Sequence, residues 1–161
     1  MKYRNLFIVL LVLLASSTSA QTGNDESASK SIKSIIESRQ FTFNARTMLP
    51  TAGITRQLTF GYKLRVAGDS VVADLPYFGR AYNAPIGQGD GGINFTSAQS
   101  SVTVTNAKKD GWNILIKPKD VKEIRQLTLQ VSENGQTTVT VISNSRQAIS
   151  YWGDLTSVAR Q

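Results

Sequence analysis

Neither cysteine nor histidine occurs anywhere in the 161 residues of the chain. Their absence removes whole classes of chemistry: a Ser-His-Asp triad, a cysteine nucleophile and the His or Cys ligand sets of zinc sites cannot be assembled. Without cysteine there are no disulfides, so an exported chain has to hold itself by packing and hydrogen bonding alone. Acidic residues are few, 11 against 18 basic. Asp90, in Gly89-Asp90-Gly91-Gly92, is a lone carboxylate without the alternating oxygen ligands of a calcium loop. No catalytic residue, metal site or cofactor is therefore expected. A long apolar run is also missing, because Leu6 to Ala15 falls short of the ~20 residues that a bilayer-spanning helix needs.

That short run has another meaning. Lys2 and Arg4 precede it, and Thr18-Ser19-Ala20 follows with small residues where signal peptidase needs them. Residues 1–20 are expected to be a secretory signal peptide cut after Ala20, with residues 21–161 as one domain and no stable transmembrane segment left behind. An absence of disulfides suits a bacterial envelope better than a eukaryotic secretory route, so a periplasmic or otherwise exported location is expected. Losing Lys2 and Arg4 leaves 16 basic residues against 11 acidic, a net of +5. Lys108-Lys109 and the set Lys117, Lys119, Lys122 and Arg125 lie beside turn signals and carry no interleaved aromatic platform, so nucleic acid is not an expected partner.

Along residues 24–39 the pattern is that of one short amphipathic helix. Acids at Asp25 and Glu26 and a cation at Arg39 suit the helix dipole, while Ile32, Ile35 and Ile36 form an apolar stripe that needs something to cover. The expected role is a lid or plug on a sheet. From Gln40 to the end of the chain the period changes to two. Phe41, Phe43 and Ala45 alternate with polar residues, and Leu58, Phe60, Tyr62, Leu64 and Val66 read as the buried face of one long strand. Gly68-Asp69, Lys109-Asp110-Gly111 and Asn134-Gly135 are hairpin turn signals, the last being the strongest. Pro118 to Arg125 interrupts the pattern with room for a short helical turn, and the tail carries Ile149, Tyr151 and Trp152 in a final short strand. The fold class predicted is mainly all-β: an antiparallel meander of about eight strands, curled into a barrel or packed as a sandwich, with the single N-terminal helix.

One segment breaks the strand pattern. Leu75 to Gly92, reading LPYFGRAYNAPIGQGDGG, interleaves Tyr77, Phe78 and Tyr82 with two prolines and five glycines. Prolines fix φ, glycines permit unusual backbone, and tyrosines bring area with a polar tip, so this is a built irregular structure. Together with GGINF, KKDGW and the RQAISYWG of Arg146 to Gly153, it makes nearly the whole chain after the signal resemble an exported bacterial family, domain of unknown function 4251. Where the family pattern carries proline and a second tyrosine in the tail, this chain has Ala148 and Trp152. The resemblance implies export to a Gram-negative envelope and brings no established activity and no catalytic residues.

What remains open to such a chain is recognition. Tyr77, Phe78, Arg80, Tyr82, Asn83 and Tyr151 are the candidate ligand-binding residues, with Arg80 and Arg146 as planar cations for a carboxylate, phosphate or ring. The expected partner is a small molecule or an envelope protein. The competing expectation is a structural or interaction domain whose rings only cap the open end of the barrel. A carboxylate-based glycosidase using two of Asp74, Asp90 and Asp154 is a third, which needs the pair about 5 to 10 Å apart.

Overall fold

Ten strands follow one another along the chain in the computed structural model, which describes residues 31–59, 61–78, 91–107 and 111–158. They are β1 (Gln40–Pro50), β2 (Arg56–Gln57), β3 (Lys63–Ala67), β4 (Ser70–Leu75), β5 (Ile93–Ser97), β6 (Ser100–Asn106), β7 (Gly111–Pro118), β8 (Ile124–Ser132), β9 (Gln136–Ser143) and β10 (Ile149–Ser157). Nine of them form one path in the order β5-β4-β3-β1-β10-β9-β8-β7-β6, with the short β2 paired to β1. The expected meander is present, with one long-range step that period-two patterning does not reveal. The tail strand β10 is inserted beside β1, pairing Phe41 with Ser157 and Pro50 with Ile149.

Closure follows from counting directions. All eight pairings along the path are antiparallel, so its two ends, β5 and β6, run in the same sense. They are joined by Ala98 and Gln99 alone, too short for a crossover, so β6 continues β5 after a kink. One bent path thus pairs with β4 in its first half and with β7 in its second, and the sheet curls into a nearly closed barrel. The kink is pinned from both sides. Ser97 Oγ donates to Asp120 Oδ1, Ala98 N donates to Asp120 Oδ2 at 2.8 Å, and Ser100 N donates to the Asp69 carbonyl at 2.9 Å.

Inward residues at every second position fill the interior. Phe41, Phe43, Leu64, Val66, Ile114, Ile116, Leu127, Leu129, Val139 and Tyr151 are fully buried, each worth roughly 1.5–3 kcal/mol of burial for a large apolar side chain. Where β1 meets β10, Gly153 stands opposite Ala45, and a Cβ there would run into the Asn44 carbonyl and the Phe43 ring. The central seam of the barrel is therefore closed by a residue without a side chain.

The helix occupies residues 31–37 of the described chain, and residues 24–30 lie outside it. Ile32 and Ile36 are buried in the same core as the strands, and Ile32 Cδ1 lies beside Gly135 in the β8–β9 turn. The helix is the expected plug. It closes the barrel end that carries the Gly68-Asp69 and Asn134-Gly135 turns, both with positive φ at glycine. Gly68 N donates to the Arg39 carbonyl at 2.9 Å, tying the plug to the β3–β4 turn. No helix of the described residues is long and apolar enough to cross a membrane.

Two expectations need correction. The row from Leu58 to Val66 is not one strand, because Gly61 sits at φ +118, and only Lys63–Ala67 is strand, with Leu64 and Val66 pointing inward. Leu58 and Tyr62 are half-buried, and Phe60 lies outside the described residues. The interruption after Pro118 is a series of bends without a helical turn, shaped by Asp120 reaching back to the kink.

Candidate functional site

The barrel end opposite the helix is crossed by the chain leaving β4. Pro76 ends the strand, Tyr77 then meets the β9–β10 connection, and Tyr151 reaches back to Pro76 from β10. Tyr151 Oη donates to the Pro76 carbonyl at 2.7 Å, and Tyr77 Oη donates to the Gln147 carbonyl at 3.1 Å. Arg146 completes the strap. Its Nη1 donates to the Gly91 and Gly92 carbonyls at 2.7 and 2.9 Å, its Nε pairs with Glu123 Oε1 at 2.9 Å, and its guanidinium lies 5.2 Å from the Tyr77 ring centre. Burial, with Tyr77 adding to it and Arg146 opposing, pushes the Tyr151 hydroxyl well above the usual phenol range, so it stays a neutral donor.

Of the residues predicted to bind, the structure therefore brings Tyr77, Arg146 and Tyr151 together, with their polar groups aimed at main-chain carbonyls. Phe78 stands apart, 57% exposed, with the Arg56 guanidinium 4.8 Å from its ring centre. Arg80, Tyr82 and Asn83 lie outside the described residues, as does Asp90.

A second feature escaped the sequence reading. Between β2 and β3 the strand pairing with β1 is interrupted, and two hydrogen bonds flank the interruption, Leu58 N to the Arg46 carbonyl at 2.8 Å and Ala45 N to the Tyr62 carbonyl at 3.0 Å, with Thr59 and Gly61 forming an arch between them. On the other side of β1 the pairing with β10 shifts register between Ala45 and Thr47, a bulge that re-aims Arg46. Arch and bulge together leave a cleft of about 770 Å³ on the outer wall, within the size range of small-molecule sites. Asn44, Arg46, Tyr62, Lys63, Asp154 and Thr156 line it.

The polar groups of this cleft are ordered. Asp154 pairs with Arg46 through Nε, and Asn44 Nδ2 donates to Thr156 Oγ1 at 3.1 Å. Asp154 is the one described residue paired with Arg46, and the Lys63 ammonium has no hydrogen-bond or ion-pair partner among the described residues. A carboxylate holding one side of a guanidinium leaves the other edge as a planar two-donor fork, which suits a carboxylate or phosphate. The signal available in the sequence was Gly61 inside an alternating run, since a glycine there marks a bulge or break. No group of three or more acidic, histidine or cysteine side chains that could hold a metal ion occurs among the described residues.

A single antiparallel barrel stopped at one end by a helix and at the other by an aromatic strap, with inward side chains of its strands forming one core, defines a small β-barrel domain. The model of the family described as domain of unknown function (DUF4251) matches residues 24–155, and the chain belongs to that family. A crystal structure of a DUF4251 family protein from Bacteroides eggerthii superposes with a TM-score of 0.64 at 19% sequence identity, covering 85% of this chain and 92% of that one. This likeness extends to the fold. No curated protein matches the chain.

Proposed function

We propose that this is a non-enzymatic, exported recognition domain of the bacterial envelope, which binds an anionic small molecule or partner in the outer-wall cleft. The observation that carries the reading is Arg46, held through Nε by Asp154, with the neighbouring Lys63 ammonium, which has no described partner, two cations facing a cleft of ligand size. Export is supported by the basic start, short apolar run and Thr18-Ser19-Ala20 of residues 1–20. The aromatic segment serves closure on this reading, because the hydroxyls of Tyr77 and Tyr151 and the Arg146 guanidinium meet chain carbonyls.

Spacing speaks against a glycosidase built on Asp74 and Asp154, and Asp90 lies outside the described residues. Asp154 pairs in register with Asn44, Asn44 with Lys63 and Lys63 with Asp74, so the two carboxylates stand three strand spacings apart, about 14 Å at ~4.8 Å each. Paired-carboxylate hydrolysis needs about 5 to 10 Å. A second binding reading rests on Phe78, whose exposed ring under Arg56 lies beside the strap and offers a docking point for a ligand or envelope protein that also uses Arg80, Tyr82 and Asn83.

Native mass spectrometry of protein purified from its own host tests the proposal. A retained anionic molecule that disappears in Arg46→Gln, with the fold unchanged by circular dichroism, is the expected result. Retention that survives Arg46→Gln and is lost in Phe78→Ala moves the site to the strap. Empty protein in every preparation leaves a structural domain.

A further inference from the structure

The cleft continues. Beyond Lys63 it passes into a second depression of about 400 Å³ lined by Arg65, Val72 and Asp74, which shares Asn44, Lys63 and Thr156 with the first. The strand registers explain why the two are contiguous. One row of outward residues runs Gln136, Asp154, Asn44, Lys63, Asp74, Asn94 across β9, β10, β1, β3, β4 and β5. The neighbouring row runs Thr156, Thr42, Arg65, Val72, Thr96 across β10, β1, β3, β4 and β5. Lys63 stands in the first row, Arg65 in the second, and Arg46 two residues beyond Asn44 on β1, so the two depressions follow one another obliquely along β1 and β3 as one trough.

The chemistry of the rows is that of amide and hydroxyl side chains punctuated by cations. Arg46, Lys63 and Arg65 recur along the trough, while its two carboxylates are engaged, Asp154 by Arg46 and Asp74 by the Asn94 amide, whose nitrogen donates at 2.9 Å. The half-buried Tyr62 and the exposed Val72 add apolar faces between them. Main-chain groups of β1 are paired on both sides, by β10 and by β3 and β2, so a peptide cannot add as a strand to β1 itself. What the trough offers is side-chain donors and ring faces at intervals along a line.

Resting on the proposed function of the cleft, we infer that the trough binds a linear acidic oligosaccharide laid obliquely along β1 and β3, its repeating carboxylates meeting Arg46, Lys63 and Arg65 in turn. Several spaced contacts on one chain make binding rise with chain length, because each further unit engages without a new loss of translational freedom. Charge contacts at an exposed wall weaken with salt.

Isothermal titration against galacturonic acid, its linear tetramer, a neutral tetramer of glucose and an acidic hexapeptide tests the inference. The tetrameric acid is expected to bind at least tenfold more tightly than the monomer, to lose at least tenfold in the double variant Arg46→Gln, Lys63→Gln, and to be unaffected by Lys117→Gln, an exposed change on β7 outside the trough. These variants sit on the outer wall, and circular dichroism verifies that they fold. Equal binding of monomer and tetramer, or of the neutral tetramer, overturns the glycan. Tighter binding of the peptide, abolished by the double variant, also overturns the glycan but leaves the recognition cleft standing. Binding of every probe unchanged by the double variant, or no heat from any probe, removes the trough as a site for an acidic chain.

Discussion

Tyr151 heads the large side chains that are fully buried, and it is the one among them that carries a hydroxyl. The ring belongs to the core and the oxygen to the strap, so one residue ties the barrel interior to the segment that closes its end. A buried carbonyl that loses its donor costs about 1–3 kcal/mol, more than the net worth of the bond itself. Tyr151→Phe keeps the ring and orphans the Pro76 oxygen. A drop of about 1–3 kcal/mol in unfolding free energy, read from urea titration, is the expected outcome; no change means that water or another donor reaches that carbonyl. Alternation told which positions face inward here, but it was silent on hydroxyl partners. Gln147 and Pro76 lie 70 and 75 residues from the tyrosines that bond them, and no local pattern encodes such a pairing.

Among the elements, the β5–β6 kink does most to decide the architecture, since it turns an open sheet into a barrel. The Asp120 carboxyl that grips it is held below its ordinary value, first by the Ser97 hydroxyl and then by the Ala98 amide. A carboxyl with a depressed folded value contributes stability above its unfolded value of about 3.9, and loses that contribution as pH falls through the lower, folded one. The stability gap between the native chain and Asp120→Ala, followed by urea midpoints from neutral pH downward, is therefore expected to be open at neutral pH and to close below about pH 4. A gap constant across that range would show that the carboxylate charge plays no part. Ser97, Ser100 and Asp120 are ordinary turn residues in sequence, and the strand signals on either side of them were legible without any sign that the two strands are one bent path. The break at Gly61 was similarly hidden. Leu58, Tyr62, Leu64 and Val66 kept the alternation of a strand while the glycine's positive φ lifted the chain into an arch, creating the cleft.

For the molecule as a whole, helix and strap stopper the two ends of one core, so the parts are expected to fail together. Ile36, 1% exposed in the helix, reports on this coupling. Ile36→Ala should cost about 2–5 kcal/mol, and fluorescence of Trp112 and Trp152 should still lose signal in step with circular dichroism. Separate transitions would show that the plug is an independent addition. By itself the sequence determined the β class, the helix, the inward faces, the turns at Gly68 and Gly135 and the exclusion of histidine and cysteine chemistry. These follow from rules acting over a few residues: the two-residue period of a strand, glycine's access to positive φ, and the absence of a functional group. Only the tertiary structure decided that β10 lies against β1, that Tyr77, Arg146 and Tyr151 bond chain carbonyls at one end of the barrel, and that Asp154, Asn44, Lys63 and Asp74 form one row. Those depend on register between strands as much as 116 residues apart, from Phe41 to Ser157, where a shift of one position would turn every side chain to the other face.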